Sequence, residues 1–495
     1  MGNNNIRGGF LRKSHPIVYE ILYAACVAIA NLIVLFIIYD GRHHLELPRS
    51  PIQTLSIVII AMMAFVSIWR NYIYNRMHHH EYEDRHERKE HGRVTFMQQL
   101  FPYWYRISCG LMFFGNCMLP MQILFSSTLL DPKTGDPYQF NIICALCFGF
   151  VFTMIGLNIL SDTTIFIAQK VVGWTTLYQQ LHVLLSSRRW CHFRAPLVFL
   201  LSAKIVLGGA LIAKEDPIVV QVTVPISHLP DSLENFRIIQ LSDVHIGVTI
   251  GRTRVKKVVD IVNDLCSGSD DNCNLIALTG DIVDGEPHGL MKAIEPLGNL
   301  CPGRDVPKLF VPGNHEHIHF IADQVVTVLS EIGIDSLVND NIRLHRDETR
   351  ENQLVVVGFD DLSSRRYRGK EQHAFDGIDA EKDTTILLAH QPNHLKVAER
   401  YGVDLMLSVI PRGQFYPGNI LAWLFNSRFS GYYPSRGKTA VYVSAGTLFW
   451  GHPFGSVLDI MKLQTFVWLG RNRNGVLCNM ITFTCYYHFY VYSNN

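Results

Sequence analysis

The feature that most constrains the fold of this chain is a series of short apolar runs that each end in polar, metal-binding residue types. Leu241–His245 is LSDVH, Leu278–Gly285 is LTGDIVDG, and Val311–Glu316 is VPGNHE. Such β-branched runs are typical of the buried strands of a parallel sheet. The carboxyl ends of those strands lie along one edge, where ligands usually bind. The sequence therefore predicts an α/β domain with a polar site at one sheet edge.

The residues at these strand ends suit divalent cations. Asp243 and His245 lie two positions apart, so both can face one site. Asp281 follows a glycine, which lets the backbone turn sharply, and its carboxylate could be shared between two cations. Asn314 offers an amide oxygen, and His390, at the end of the run TILLAH, offers an imidazole. Each signal alone is also typical of a polar turn or a buried core histidine, but their ordered recurrence at strand ends favours a metal site.

A site of this composition is suited to chemistry at phosphorus. Two divalent cations about 3.5–4 Å apart stabilise an in-line displacement and lower the pKa of a bridging water. A histidine placed beside the cations can stabilise charge on the phosphoryl oxygens or protonate the leaving group. His315, which follows Asn314 directly, is the candidate for that role.

Together, DVH, GDIVDG, GNHE and the later histidine resemble the motifs of the calcineurin-like metallophosphoesterase family, over roughly Ile218–Gly455. The resemblance implies a four-layer α-β-β-α sandwich and a hydrolase with two divalent metal ions. Mixed oxygen and nitrogen ligation admits Mn, Fe, Zn or Mg.

The resemblance also implies a role for each candidate residue. The first two ligands would bind one metal, the third would bridge both metals, and the last two would bind the second metal. The residue beside the fourth ligand, His315, would act on the substrate phosphoryl group. In chain order, the five implied metal ligands are Asp243, His245, Asp281, Asn314 and His390.

One expected piece of the family pattern is missing. Where the family carries Gly-His-Thr-His-Gly, this chain has Val409–Arg412, so two histidine ligands are absent. Arginine cannot take their place, because its guanidinium has no acceptor and stays charged. His394 and His452 lack the right spacing to compensate. Two interpretations stay open: a catalytically silent pseudo-phosphoesterase that serves as a membrane binding module, or a splice or translation error in the written sequence.

The amino-terminal region has the pattern of a multi-span membrane anchor. A bilayer core requires about 20 apolar residues per helix. Lysine and arginine are concentrated in the amino terminus and in alternate loops, which places the amino terminus in the cytosol. Five spans would then put the following domain on the extracytosolic side, whereas four would leave it in the cytosol. The five apolar runs are Ile17–Tyr39, Ile52–Trp69, Ile107–Phe125, Ile142–Leu160 and Leu197–Ala213.

These patterns divide the chain into a membrane anchor at 1–213, a phosphoesterase domain at 214–455 and an atypical tail at 456–495. The expected partners are the lipid bilayer and a phosphoester substrate, which the membrane placement suggests is lipid-linked. The net charge of +1 argues against a nucleic-acid partner. Intramembrane charges at Glu20 and Lys204 are isolated, which argues against a transporter. Cys266 and Cys273 bracket a polar loop and would pair in an oxidising compartment or stay buried thiols.

Overall fold

The computed structural model describes residues 130–171, 188–226, 229–267, 273–318, 321–344, 354–364, 372–409, 431–434, 439–448 and 462–471. The α-helices are α1 Gln139–Val171, α2 Arg188–Ile212, α3 Arg252–Cys266, α4 Met291–Ile294, α5 Asn314–Ile318, α6 Ala322–Glu331 and α7 Leu395–Arg400. The strands are β1 Ile218–Ile226, β2 Arg237–Leu241, β3 Leu275–Thr279, β4 Lys308–Val311, β5 Asp335–Ser336, β6 Asp340–Leu344, β7 Leu354–Gly358, β8 Thr384–Leu388, β9 Leu405–Val409, β10 Gly431–Tyr433, β11 Ala440–Ser444 and β12 Lys462–Arg471.

The strands form two six-stranded mixed sheets. The first sheet has the order β1-β12-β2-β3-β4-β5, and its neighbours from β2 to β5 run parallel. The second has the order β10-β11-β9-β8-β7-β6, with a parallel centre and an antiparallel strand at each edge. Parallel neighbours require crossover connections, and helix α3 provides one between β2 and β3.

Three apolar clusters set the order of the layers. In β3, Leu275 and Ala277 point into the cluster between the two sheets, whereas Ile276 and Leu278 point toward helices α3 and α6. A third cluster lies under α7 on the outer face of the second sheet. The layers therefore run helix, sheet, sheet, helix. The two-sheet α/β sandwich that the family resemblance implies is confirmed.

Strand β12 lies beyond the domain boundary that the sequence indicates. Residues Lys462–Arg471 belong to the segment assigned to the tail, yet they pair parallel to β1 and antiparallel to β2. Of the described residues, those from 130 to 145 and from 205 onward belong to one compact unit, and those between 146 and 204 belong to another. Residues 462–471 thus contribute to the first sheet.

Two long helices lie among the residues of the predicted anchor. Helix α1 contains the fourth apolar run, and Gln139–Asn158 is long and apolar enough to cross a membrane by length and composition. Helix α2 contains most of the fifth run, and its apolar part, Pro196–Ile212, is shorter. The first three predicted spans lie outside the described residues.

The short segment before α1 packs against the sandwich, within the same unit. The carboxylate of Asp136 accepts hydrogen bonds from the backbone N–H and the hydroxyl of Thr253, at 2.8 and 2.6 Å. The N–H of Arg252 donates to the carbonyl of Gly135 at 2.9 Å. Helix α3 has no capping side chain of its own, so Asp136 satisfies one of the free N–H groups of its first turn.

Candidate metal centre

The loops that follow β2 and β3 pair with each other and carry the predicted ligands. The N–H of Asp243 donates to the carbonyl of Gly280, and the N–H of His245 donates to the carbonyl of Asp281, at 3.1 and 3.0 Å. Asp243, His245 and Asp281 all adopt left-handed backbone conformations, with φ of 53°, 53° and 54°. Residues other than glycine seldom adopt that conformation, and such strained positions cluster at functional sites.

The structure brings all six predicted site residues together. Their potential ligand atoms form two groups in which all atoms lie within 4.8 Å of one another, namely Asp243, Asp281, His390 and His245, Asp281, His315. Asn314 joins the first group, because its Oδ1 lies 3.0 Å from Nε2 of His390. Asp281 belongs to both groups, which is the geometry required of a bridging carboxylate. The roles of the individual residues remain predictions.

The grouping differs from the implied ligand sets in two respects. Asp243 falls with His390, although Oδ1 of Asp243 also lies 3.6 Å from Nε2 of His245. His315, expected to act on substrate, falls with His245, and its Nε2 lies 3.9 Å from Oδ2 of Asp281. All of these side chains lie close together, so both ways of grouping them define the same candidate metal site.

Two imidazoles are oriented by partners on their far side. Nδ1 of His390 lies 2.9 Å from the carbonyl oxygen of Thr279, and Nδ1 of His245 lies 3.1 Å from Oδ1 of Asp284. In each ring, Nδ1 therefore donates to this partner, and Nε2 faces the carboxylates. This arrangement is typical of metal-ligating histidines, whose other nitrogen donates to a carbonyl or carboxylate.

Asp284, to which the sequence analysis gave no role, connects two of the candidate residues. Its Oδ1 lies 3.1 Å from Nδ1 of His245 and 2.8 Å from Nδ1 of His315. Burial lowers the pKa of both histidines, but the nearby carboxylates outweigh it and raise both values. Burial likewise raises the pKa of Asp284, and the two imidazoles hold it well below its usual range. The sequence signal was its position in GDIVDG, three residues after Asp281.

Glu316 also had no predicted role, and it joins two of the ligand loops. It is fully buried, and its carboxylate accepts hydrogen bonds from the N–H groups of Asp281, Ile282, Val283 and Gly313, at 2.7–3.2 Å. A buried carboxylate is stable only when such donors compensate for lost hydration. Glu316 therefore fixes the loop after β3 against the loop after β4.

Two glycines allow these loops to approach closely. A Cβ atom at Gly313 would lie 2.2 Å from Oδ1 of Asp281, and one at Gly280 would lie 2.6 Å from Nδ1 of His390. Gly280 also has a φ of 81°, which disfavours other residues. Gly280 and Gly313 are therefore required, because a side chain at either position would collide with a candidate metal ligand.

The donor set fits divalent cations. Oδ1 of Asp243 is buried and accepts no hydrogen bond from the described residues. Burial lowers the pKa of His390, yet Asp281 and Asp243 outweigh it and raise the value to about 10. Without metal, the protonated ring of His390 balances part of the negative charge of Asp281 and Asp243. Carboxylate, amide and imidazole groups are the ligand types that Mn, Fe, Zn or Mg bind.

The segment that departs from the family pattern begins at the edge of this site. Strand β9 ends at buried Val409, whose N–H donates to the carbonyl of His390 at 2.8 Å. Ile410, Pro411 and Arg412 lie outside the described residues, as does His452. His394 belongs to neither ligand group, and its ring packs against Phe359 with centroids 5.3 Å apart. Within the described part of the chain, no other histidine takes the place of the two missing ones.

Comparison with known proteins identifies similar chains over the same region. The model of the family described as calcineurin-like phosphoesterase matches residues 236–410. A Danio rerio "Transmembrane protein with metallophosphoesterase domain" is 35% identical over 270 residues, covering 52% of this chain and 59% of that protein. The Bos taurus protein of the same name is 31% identical over 357 residues, covering 68% of this chain and 76% of that protein. An "Uncharacterized metallophosphoesterase" of Helicobacter pylori is 29% identical over 225 residues, covering 44% and 56%.

Proposed function

Because this chain belongs to the calcineurin-like phosphoesterase family, we propose that it is a membrane-bound hydrolase of phosphoric esters that uses two divalent cations. The observation that carries the proposal is the position of Asp281. Its buried carboxylate belongs to both groups of potential ligands, which otherwise share no residue. One carboxylate between two sets of donors is the arrangement that a two-metal site requires.

The other residues of the site would orient the imidazole ligands and supply a proton. When bound, the cations would lower the pKa of a water and stabilise the charge that develops on the phosphoryl oxygens. Thr279 and Asp284 hold the rings of His390 and His245 with Nε2 toward the carboxylates. His315 is the most accessible of these rings, with its side chain 14% exposed, whereas those of His245 and His390 are 3% and 2% exposed. Its Nδ1 faces Asp284, so Nε2 is the atom that would meet the substrate.

We propose a substrate class from the membrane placement that the sequence predicts. Helix α1 is long and apolar enough to span a bilayer, and two of the relatives carry "transmembrane protein" in their names. We place the chain in a membrane as a multi-pass protein with its phosphoesterase domain on the extracytosolic side, as the distribution of basic residues predicts. A domain held there would meet lipid-linked or surface phosphoesters at high local concentration.

The first prediction tests the bridging carboxylate in the full-length chain in detergent. Asp281→Asn removes the charge shared by both ligand groups, so the metal content should fall by more than one ion per chain relative to the unaltered chain. Hydrolysis of a p-nitrophenyl phosphodiester should fall at least a hundredfold. Asp260→Asn is the matched control, because Asp260 is exposed on α3 and pairs only with Lys256 among the described residues. Equal turnover in Asp281→Asn and the unaltered chain would exclude the bridging role.

A silent binding module is the second candidate function, and one observation favours it. The family's two closing histidines are replaced at Val409–Arg412, which removes one expected ligand from each metal. Metal content separates the two functions. A hydrolase should retain about two divalent ions per chain at this site after dialysis, whereas a silent module should retain fewer than one there and show no turnover with Mn²⁺, Fe²⁺, Zn²⁺ or Mg²⁺ added.

A further inference from the structure

Three cysteines converge at the end of the first sheet opposite the phosphoesterase site. Cys266 ends helix α3, Cys273 stands two residues before β3, and Cys301 lies in the connection that leads to β4. All three are buried, with exposures of 3%, 7% and 2%. The phosphoesterase ligands follow the carboxyl ends of β3 and β4, so the strands themselves separate the two places.

The spacing of the three sulfurs matches a single coordination centre. All three Sγ atoms lie within 4.8 Å of one another, and those of Cys273 and Cys301 are 3.8 Å apart. Thiolates that bind one zinc ion at about 2.3 Å with tetrahedral angles have sulfurs about 3.8 Å apart. A disulfide would need a sulfur–sulfur distance of about 2.05 Å and would use only two of the three.

Basic groups lie near the three sulfurs. The guanidinium of Arg304 donates to the carbonyl of Cys266. Hydrogen bonds from Cys266 and Cys273 lower the pKa of the Cys301 thiol, and Arg304 and Lys308 act in the same direction. The pKa of Cys273 is raised by Cys266 and Cys301. Cys273 lowers the pKa of Cys266, but Cys301 and burial outweigh this effect and raise it to about 12. The two basic side chains can balance part of the negative charge of thiolates that bind a cation.

We propose that Cys266, Cys273 and Cys301 form a binding site for one soft divalent cation of the zinc type, separate from the phosphoesterase centre. Binding exchanges thiol protons for the cation, which then bonds to three thiolates, so protons are released as the ion binds. The site would tie the end of α3 to the starts of β3 and β4. Its role would therefore be to stabilise the domain, while the phosphoesterase ligands stay at the opposite edge.

The test uses Cd²⁺ as the probe, on the full-length Asp281→Asn chain in detergent, so that the phosphoesterase ligands contribute little. We expect about one equivalent of Cd²⁺ to produce an ultraviolet sulfur-to-cadmium charge-transfer band and to release protons. Cys301→Ser and Cys273→Ala should each reduce the band by at least half and weaken binding at least tenfold. Cys147→Ser, a buried cysteine of helix α1 outside the three, is the matched control and should leave both unchanged.

Two further measurements keep the test decisive if a variant fails to fold. X-ray absorption of the unaltered chain loaded with Zn²⁺ should show three sulfur neighbours at about 2.3 Å. Peptide mapping of the same chain without reduction should find all three cysteines as thiols. A disulfide between any two of them, or a cadmium band that survives in Cys301→Ser, would overturn the proposal.

Discussion

At the scale of single residues, the candidate site depends on two buried carboxylates that belong to neither group of potential ligands. Asp284 aligns two imidazoles, and Glu316 gathers four backbone N–H groups from two loops. The sequence predicted Asp243, His245, Asp281, Asn314, His390 and His315, because residues at the ends of parallel strands meet at one edge. It could not assign Asp284 or Glu316, because their partners are defined only once separate loops pack together.

The second prediction concerns Glu316→Gln. Each carboxylate oxygen of Glu316 accepts hydrogen bonds from two backbone N–H groups. In glutamine, an NH₂ group replaces one of these oxygens and faces two donors, so both of those hydrogen bonds are lost. Hydrogen bonds to a charged group contribute about 1.5–3 kcal/mol each, so we expect the loss of two to cost about 3–6 kcal/mol. A thermal melt should show a decrease of about 6–24 °C, since each kcal/mol corresponds to about 2–4 °C in a domain of this size. Glu331→Gln, on an exposed position at the end of α6, should change the melting temperature by less than about 1 °C.

The third prediction follows from the ionisation of the metal-free site. The pKa of His390 is raised to about 10 by Asp281 and Asp243 in spite of burial, against about 6.5 in an unfolded chain. Its protonation therefore stabilises the folded chain fully below pH 6.5, and that contribution is lost as the pH rises through 10. The melting temperature of the chelated protein should fall over this range, whereas that of the metal-loaded protein should fall less. Parallel pH profiles for the two forms would contradict the prediction.

At the scale of helices and strands, the sequence predicted the elements whose pattern is strong within one segment. Runs such as VVV in β7 and LIAL in β3 are fully buried, and they indicated strands without further information. Strand β6, with the sequence DNIRL, and the two-residue β5 lie at sheet edges, where polar residues obscure the pattern. Strand β12 pairs with β1, which lies more than two hundred residues earlier in the chain. No pattern within either segment could therefore predict the pairing.

The fourth prediction concerns the cap that α3 receives from Asp136. Asp136→Ala removes the acceptor for the N–H of Thr253, and loss of a cap costs about 1 kcal/mol. Hydrogen exchange at the Thr253 amide should accelerate about fivefold, since 1.4 kcal/mol corresponds to a factor of ten. Asp260→Ala, in the same helix but away from its first turn, should leave this amide unaffected. Unchanged exchange in Asp136→Ala would show that the segment before α1 does not cap α3.

At the scale of the whole molecule, the contact between Asp136 and Thr253 limits the ways in which the chain could cross a membrane. The segment at 130–138 precedes α1, and β1 begins six residues after α2 ends. Both are parts of the unit that contains the sandwich. If α1 crosses a bilayer, α2 must cross it back, because the two ends lie on one side. The fifth predicted span, with Lys204 in its sequence, remains a prediction, and it is required if α1 crosses a bilayer.

The fifth prediction tests this topology in sealed vesicles with the cytosolic face outward. Lys133→Cys, before α1, and Lys382→Cys, on an exposed turn of the sandwich, should both resist a membrane-impermeant maleimide until detergent is added. Lys89→Cys, in a loop that the basic-residue bias places in the cytosol, is the control that should react at once. Reaction of only one of the first two would refute the paired crossing. Reaction of both would instead put the domain in the cytosol.

The metal centre takes its donors from both sheets, since His390 follows β8 of the second sheet whereas the other ligands follow strands of the first. During synthesis, the ribosome has completed the first three ligand loops long before it reaches codon 390. A nascent chain therefore exposes only part of the candidate ligand set before the two sheets pack together. If the proposed ions bind only to the complete set, the compartment in which folding ends would determine which ions the protein acquires.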